Sequence, residues 1–349
     1  MQIYQDISLK PFNTFGVDAK TKFFAEYDSV DELKELFQSD SVKNNRLLHI
    51  GSGSNLLFLN DFDGIILHSK IQTIEIVEED MFSVLLRVGS GMNWDDFVAL
   101  CVENNYYGIE NLSLIPGEVG ASAVQNIGAY GVEVRDVIEK VEFVEIESFK
   151  SKSFSNKECR YSYRKSIFKE KLKGKVIITH VSFRLKKEPG YVLDYAHLKD
   201  AVLKNGEINL ANVRKTVIEI RESKLPNPEV LGNAGSFFMN PIIPKSQFDK
   251  LLLSYPTMPH YNVSENEVKV PAGWLIEQCD LKGKQFEKVG IYHKQALIIV
   301  NLGGATGEDI ATVASLVQIT VKKRFGIELV PEVNFIGPSL PPRRGGMCV

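Results

Sequence analysis

The chain has 349 residues, of which 44% are hydrophobic and 24% are charged, and its formal net charge is −3. These fractions are typical of a folded chain rather than a disordered one, and the length predicts two or three domains. Since the net charge produces no global basic field, nucleic acid is not an expected partner.

Cysteine and histidine usage argues against two further classes of protein. The 4 Cys contain no CxxC pair and do not suggest a secreted disulfide framework. The 6 His fall in no zinc-binding spacing, so we expect no dedicated metal site.

The first residues lack the features of a signal peptide, and no apolar run approaches the ~18–20 residues of a membrane helix. We therefore expect a cytoplasmic chain without membrane segments.

Helix and strand signals alternate in the first third of the chain. Ser29 and Glu32 form a capping-box pattern ahead of one helix, and Asn93 is placed to cap the next. Strands are predicted at 47–50 and 84–88, where apolar residues run into a Gly-Ser-Gly turn.

Later segments carry longer patterns, and the last helix has the clearest boundaries. Thr306 is its expected cap and Gly326 its expected stop. The chain therefore divides into an α+β portion, up to about residue 205, and a helix-rich α/β portion up to about residue 327. Strands are predicted at 137–144, 176–185 and 329–335, and helices near 213–225, 248–252, 272–279 and 309–325.

Glycines mark three segments that could approach a ligand. The Gly-Ser-Gly turns at 51–53 and 89–91 let backbone N–H groups approach an anion. Neither is a Rossmann fingerprint, because the third glycine is missing, and no P-loop is present. The glycine-rich segment, 115–131, has the composition of backbone packed against a large flat ligand or against another backbone. The residues alone leave both interpretations open.

Ordered motifs along nearly the whole chain resemble the UDP-N-acetylenolpyruvoylglucosamine reductase family. Their order and spacing agree from about residue 8 to residue 337. Tyr195, and the length of chain between Arg164 and Arg214, are similar to the longer, type I form of the family. The main motifs lie at 51–57, 113–134 and 232–238, and further ones at 10–16, 163–168, 224–228, 272–277 and 331–333.

The resemblance implies an activity and an architecture. The activity is NADPH-dependent, FAD-mediated reduction of the enolpyruvyl group of UDP-N-acetylglucosamine enolpyruvate to UDP-N-acetylmuramate, in peptidoglycan precursor synthesis. The architecture is α+β with three domains: a two-part FAD-binding fold of the vanillyl-alcohol oxidase type and an α/β substrate-binding domain. The implied bounds are 1–70 with 328–349 returning to it, 71–208 including the tyrosine loop, and 209–327. We expect a monomer whose partners are the UDP-sugar and NADPH.

The resemblance assigns three catalytic residues. Ser236 corresponds to the proton donor, Arg164 to a fixed cation for the substrate carboxylate, and Glu332 to a carboxyl group at the reacting carbons. Taken singly, these residues have ordinary explanations as a turn hydroxyl, a surface arginine and a solvated carboxylate on the polar side of a strand. The sequence leaves the protonation state of Glu332 open.

The resemblance also assigns the contacts with the two ligands. The residues implied to bind FAD are Gly51, Ser52, Gly53, Ser54, Asn55, Pro116, Gly117, Ala121, Ser122, Gly128 and Tyr130. Those implied to bind the UDP-sugar are Tyr195, Lys224, Asn240, Tyr261 and Lys282. Met239 departs from the family pattern, because related sequences commonly have lysine there, and this puts the local phosphate contacts in doubt.

Two other functions compete with this interpretation. Another flavin oxidoreductase of the same fold superfamily, acting on a small alcohol, would keep the glycine segments. It would give no reason for Ser236, Tyr195 and Lys282 to occur together. A nucleotide-sugar-binding protein that has lost catalysis is disfavoured, because Ser236, Arg164 and Glu332 are all present.

Overall fold

The computed structural model describes residues 2–195 and 197–337, so residues 338–349 of the predicted returning segment lie outside the described part. The strands are β1 (Ile3–Ser8), β2 (Lys20–Tyr27), β3 (Leu47–Ile50), β4 (Leu56–Phe58), β5 (Phe62–Ser69), β6 (Ile74–Glu79), β7 (Ser83–Gly89), β8 (Gly128–Ala129), β9 (Val132–Glu133), β10 (Ile138–Glu145), β11 (Ser151–Ser155), β12 (Val176–Lys186), β13 (Gly232–Asn233), β14 (Ile242–Pro244), β15 (Tyr261–Asn262), β16 (Glu267–Lys269), β17 (Gln285–Phe286), β18 (Val289–Ile291), β19 (Ile299–Asn301) and β20 (Asn334–Ile336). The α-helices are α1 (Val30–Gln38), α2 (Asp40–Lys43), α3 (Trp94–Glu103), α4 (Val119–Gln125), α5 (Leu198–Asn205), α6 (Leu210–Lys224), α7 (Lys245–Leu252), α8 (Ala272–Gln278) and α9 (Gly307–Phe325).

The chain forms two compact units. The first unit comprises Met1–Ile7, Thr21–Ser52 and Asp63–Ser223, and the second comprises Ser8–Lys20, Gly53–Phe62 and Lys224–Val349. Helices and sheets occur in both units, which confirms the predicted α+β class. Across residues 2–195 and 197–337, every helix is too short or too polar to cross a lipid bilayer.

The first unit is built on two main sheets. One has the strand order β1-β2-β5-β3, with β3 and β5 parallel. The other has the order β11-β10-β12-β7-β6, and its neighbouring strands pair antiparallel. Its apolar residues pack against α3 and α4 around Trp94, Phe97 and Phe183. These aromatic residues therefore fix both helices beside the strand ends that carry the glycine turns.

The second unit carries smaller sheets around a cluster of aromatic rings. The strand orders are β13-β19-β18-β17, β14-β16-β15 and β20-β4. The ring of Phe237, which is 0% exposed, contacts Phe15 at 6.1 Å and Phe335 at 5.9 Å between ring centroids. A Cβ atom at Gly307 would lie 1.9 Å from the carbonyl oxygen of Phe58, so only glycine lets α9 begin this close to β4.

The predicted helix caps are confirmed. The hydroxyls of Ser29 and Thr306 accept hydrogen bonds from the N–H groups of Glu32 and Asp309. Gly326 has a φ of 66° at the end of α9, where a left-handed residue stops the helix. Local hydrogen bonding at these helix ends could therefore be predicted from the sequence.

The final strand is shorter than the predicted 329–335. Only Asn334–Ile336 forms a ladder, parallel to Leu56–Phe58, while Pro331 makes an isolated bridge with Phe238. Proline has no N–H to donate to a ladder, which explains the late start of the strand. Glu332 precedes the strand, so the prediction that it lies on the strand's polar side is wrong.

Candidate active site

Ser236 and Glu332 lie on adjoining backbone segments of the second unit. The N–H of Phe237 donates to the carbonyl oxygen of Leu297, and its own carbonyl accepts from the N–H of Glu332, both at 2.8 Å. Ser236 is exposed, whereas Phe237 is 0% and Phe238 1% exposed. The two buried rings hold the backbone rigidly and leave the Ser236 hydroxyl accessible to a ligand.

Asn55, which belongs to the predicted FAD motif at 51–57, hydrogen-bonds to the backbone around Glu332. Its Nδ2 donates to the carbonyl oxygen of Glu332 at 3.1 Å, and its own carbonyl oxygen accepts from the N–H of Asn334 at 3.0 Å. Two residues of the second unit that are distant in sequence, one predicted to bind the cofactor and one predicted to be catalytic, are thus joined directly.

Gly53 places this motif against the N-terminal segment of the second unit. Its φ is 67°, and a Cβ atom would lie 2.0 Å from the carbonyl oxygen of Phe12. The backbone conformation disfavours a side chain and the short distance excludes one, so glycine is required here. The motif at 10–16 and the motif at 51–57 therefore depend on each other structurally.

Arg164, in the first unit, is fixed against the glycine-rich segment. Its Nη2 donates to the carbonyl oxygen of Gly128 at 2.9 Å, and its Nη1 to that of Asn126 at 3.4 Å. A Cβ atom at Gly128 would lie 3.5 Å from Nη1, and 3.0 Å from the carbonyl oxygen of Val132. Arg164 has a φ of 56°, an uncommon conformation that surrounding contacts must support. The side chain is a pre-positioned cation with planar donors.

Two arginines of α6 were missed by the sequence interpretation. Arg214 forms a bidentate ion pair with Asp95, with N–O distances of 2.7 and 2.9 Å. Arg221 donates to the carbonyl oxygen of Leu114 at 3.2 Å, and burial lowers the pKa of its guanidinium. The charge of Arg221 is coupled to those of Asp95 and Arg164. Their spacing in the sequence could have identified them, because the two arginines are roughly two helical turns apart and share one face of α6.

A cluster of three ionisable groups, of which His68 and Glu118 are largely buried, was also missed. The Nε2 of His68 lies 2.8 Å from Oε1 of Glu118, and its Nδ1 lies 2.8 Å from Oε1 of Glu26. Burial opposes protonation of His68, but the hydrogen bonds and charges of Glu118 and Glu26 outweigh it and raise the pKa of the imidazole. No local pattern marks this cluster, since its members come from β2, β5 and the residue preceding α4.

The cluster reaches the first glycine motif. A Cβ atom at Gly51 would lie 3.0 Å from Oε2 of Glu118 and 3.7 Å from the Cβ of Ala121. The carboxyl group therefore occupies the space beside Gly51, and the hydrogen bond between its other oxygen and His68 holds it there.

The loop residues fit a bound FAD. In the described part of the chain, the buried Oγ of Ser52 has no hydrogen-bond partner, so this hydroxyl is available to a ligand. Gly117 has a φ of 135°, a backbone conformation that residues other than glycine rarely adopt. By contrast, Ser122 donates its hydroxyl proton to the carbonyl oxygen of Val119 at 2.7 Å, so that proton is committed within α4.

The predicted UDP-sugar residues of the second unit have defined supports. The Oδ1 of Asn240 accepts from the N–H of Ala272 at 2.9 Å, and the Nζ of Lys282 pairs with Oε1 of Glu277 at 2.7 Å. Both residues are thus attached to α8. Tyr261 is 49% exposed on β15, and Lys224 is exposed at the end of α6. The side chains of Tyr261 and Lys224 are available to a ligand.

Tyr195, in the first unit, packs on a residue predicted to contact FAD. Its ring meets that of Tyr130 edge-on, with 6.2 Å between centroids and 90° between planes. Tyr195 remains 44% exposed. The predicted substrate tyrosine and the predicted cofactor loop are therefore neighbours within this unit.

The glycine-lined loops and the orphaned hydroxyl of Ser52 suit a large cofactor with anionic groups. Residues 21–147 match the FAD binding domain, and residues 227–336 match the C-terminal domain of UDP-N-acetylenolpyruvoylglucosamine reductase. Among named relatives, the UDP-N-acetylenolpyruvoylglucosamine reductase of Bacteroides fragilis (strain YCH46) is 52% identical over 95% of this chain and 99% of that protein. That of Porphyromonas gingivalis (strain ATCC BAA-308 / W83) is 50% identical over 96% of this chain and 100% of that protein.

The chain belongs to the UDP-N-acetylenolpyruvoylglucosamine reductase family, and FAD is its cofactor. The crystal structure of the reductase from Thermus caldophilus has the same fold, with a TM-score of 0.68 at 22% identity, covering 96% of this chain and 99% of that one. The predicted family, FAD cofactor and FAD-binding α+β fold are confirmed. The three domain bounds and the roles of individual residues stay predictions.

Proposed function

We propose that the chain reduces the enolpyruvyl group of UDP-N-acetylglucosamine enolpyruvate with NADPH, producing UDP-N-acetylmuramate for peptidoglycan synthesis. The observation that carries the proposal is the placement of Ser236 beside the backbone of Glu332, in a chain 52% identical to a reductase of this family. We assign the reaction to the cytoplasm and to a monomer, with the three domain bounds given above.

The substrate's chemistry defines what the protein must provide. Its double bond is conjugated to a carboxylate, so the terminal carbon is electron-poor and the adjacent carbon becomes basic after hydride addition. When bound, FAD supplies that hydride, which originates from NADPH. The chain's own side chains must bind the carboxylate, stabilise the developing negative charge and protonate the adjacent carbon.

Arg164 and Ser236 meet two of these requirements. The Arg164 guanidinium binds the substrate carboxylate, because it is a permanent cation held by the carbonyl oxygens of Gly128 and Asn126. The Ser236 hydroxyl donates its proton to the carbon next to the carboxylate. A hydroxyl is a weak acid, so its proton transfer depends on the charge stabilisation that Arg164 provides.

Glu332 acts at the same carbons as Ser236. In its protonated form it can donate a proton, and in its ionised form it can orient the Ser236 hydroxyl.

For the UDP-sugar, we propose contacts with Tyr195, Lys224, Asn240, Tyr261 and Lys282. The two lysines suit a diphosphate, and Asn240 keeps its amide N–H groups available because its oxygen is used at Ala272. Met239 supplies no charge at its position, so the diphosphate depends more heavily on Lys224 and Lys282.

Flavin content is the first test of the proposed function. The purified chain should be yellow and should release FAD on denaturation. A colourless chain that added FAD does not reconstitute would overturn the proposal. A chain that binds FAD and NADPH but oxidises a small alcohol, and leaves the UDP-sugar unchanged, would support the competing flavin oxidoreductase instead.

A further inference from the structure

Asn111 connects two segments of the first unit through a single side chain. It lies in the 3₁₀ helix Glu110–Leu112 and is 1% exposed. Its Nδ2 donates to the carbonyl oxygen of Tyr130 at 2.9 Å and to that of Val192 at 2.7 Å. One amide group thereby joins the glycine-rich segment to residues 191–195, which we call the tyrosine loop.

The orientation of this amide is determined by its partners. Rotation by half a turn would direct the side-chain oxygen at two carbonyl oxygens, and acceptors do not pair with acceptors. In the observed orientation, the buried Oδ1 has no hydrogen-bond partner within residues 2–195 and 197–337. An unmade buried bond is costly, so the contribution of Asn111 to the structure lies in its two donated bonds.

The tyrosine loop lies directly on the segment to which Asn111 attaches it. A Cβ atom at Gly131 would lie 3.3 Å from Cγ1 of Val192 and 3.5 Å from the Cβ of Tyr195. Gly131 has a φ of 85° and Tyr130 a φ of 47°, so both residues adopt conformations that need support from their surroundings. The bond from Asn111 to the carbonyl oxygen of Tyr130 provides part of that support.

The loop is also attached by local backbone bonds and by an apolar cluster. The N–H groups of Lys199 and Leu198 donate to the carbonyl oxygens of Leu193 and Tyr195 at 3.2 and 3.0 Å. Leu193, which is 8% exposed, packs in a small cluster with Leu198, Val202, Val213 and Val217. These bonds join the loop to the start of α5, and the cluster holds the centre of the loop. Asn111 adds a directional contact that joins the loop, through Val192, to Tyr130 of the glycine-rich segment.

We propose that Asn111 is a positioning residue that holds the tyrosine loop on the glycine-rich segment and thereby sets the affinity for the UDP-sugar. The inference rests on the proposed function, which assigns Tyr195 to the UDP-sugar and Tyr130 to FAD. Without the two hydrogen bonds from Asn111, the loop spends part of its time away from Tyr130. The apparent dissociation constant of the UDP-sugar then rises in inverse proportion to the fraction of molecules with the loop in place.

The test compares Asn111→Ala with a matched control. Asn212 is also an asparagine whose Nδ2 donates to two carbonyl oxygens, those of Val202 at 3.1 Å and Glu207 at 2.7 Å. For Asn111→Ala, we expect the dissociation constant of the UDP-sugar to rise roughly tenfold, the equivalent of one or two lost hydrogen bonds. Its kcat at saturating substrate should stay at the wild-type value, because bound substrate favours the molecules with the loop in place. Asn212→Ala should lower the melting temperature and leave the dissociation constant unchanged.

A second variant keeps the proposal testable if Asn111→Ala does not fold. Gly131→Ala disturbs the same contact from the other side, because the added methyl group meets Val192. It should raise the dissociation constant in the same way. The proposed role of Asn111 would be overturned by wild-type affinity in both Asn111→Ala and Gly131→Ala, or by an equal loss of affinity in Asn212→Ala. Failure of the wild-type protein to bind the UDP-sugar would instead overturn the proposed function.

Discussion

The backbone N–H of Glu332 donates a 2.8 Å hydrogen bond to the carbonyl oxygen of Phe237, the residue that follows Ser236. Because Phe237 is fully buried and also bonded to Leu297, this contact leaves little freedom for the backbone that carries Ser236. A backbone fixed this firmly suits a residue that transfers a proton, because proton transfer requires a short and directed path.

Replacing Ser236 with alanine should separate the two half-reactions. We expect NADPH to reduce the bound FAD at nearly the wild-type rate, because no proton from Ser236 is needed there. Reoxidation by the enolpyruvyl UDP-sugar should slow by roughly 10²–10⁴, the usual contribution of a general acid. Stopped-flow absorbance of the flavin measures both rates on one sample. Equal slowing of both half-reactions would contradict the role of Ser236 as a selective proton donor.

The raised pKa of His68 predicts a pH-dependent contribution to stability. A histidine whose folded pKa lies above its unfolded value of about 6.5 stabilises the protein fully below that value. The contribution is lost as the pH rises through the folded pKa. We therefore expect His68→Gln to lower the melting temperature more at about pH 6 than at about pH 9.

His180 is the matched control for this measurement. Burial lowers its pKa, so the contribution of its neutral form is present above the unfolded value and is lost as the pH falls. The difference between wild type and His180→Gln should therefore change with pH in the opposite direction. A melting-temperature difference for His68→Gln that is constant across the pH range would show that the Glu118–His68–Glu26 chain does not titrate as described.

Local signals explain why much of the fold could be predicted. Ser29 and Thr306 cap their helices as expected, since a cap needs only residues close in sequence. The helix α4 was not predicted, because its Gly, Ala and Ser residues suggested backbone packed closely against a ligand or against another backbone. The residue before it, Glu118, makes no side-chain cap.

Long-range contacts explain what the sequence could not provide. The pairing of Glu118 with His68, and of Asn111 with Val192, joins residues from separate elements, and no spacing rule connects them. The resemblance to the family named Arg164, Ser236 and Glu332, but only the folded chain shows which backbone groups hold them.

Removing the hydroxyl of Ser52 should weaken FAD binding. Its buried Oγ is placed to donate to an anionic ligand, and such charge-assisted bonds contribute about 1.5–3 kcal/mol, or roughly a tenfold to hundredfold change in dissociation constant. Titration of apoprotein with FAD, followed by flavin fluorescence, measures the loss in Ser52→Ala. Ser113→Ala is the control, because that buried hydroxyl already donates to the carbonyl oxygen of Glu110. Unchanged FAD affinity in Ser52→Ala would remove Ser52 from the cofactor site.

Introducing lysine at Met239 should restore a phosphate contact. We expect Met239→Lys to lower the dissociation constant of the UDP-sugar by roughly twofold to fivefold, the effect of one partly exposed ion pair. The gain should shrink as salt is added, because salt screens the added charge. Met239→Gln, which is polar but uncharged, is the control. A similar gain in both variants, or a gain insensitive to salt, would show that charge is not the cause.

The central claim is that bound FAD passes reducing equivalents from NADPH to the enolpyruvyl group. Anaerobic titration tests it most directly. NADPH should bleach the flavin absorbance, and the enolpyruvyl UDP-sugar should then restore it, with one UDP-N-acetylmuramate formed for each FAD reoxidised. Flavin that NADPH bleaches but that stays reduced in the presence of this substrate would contradict the account.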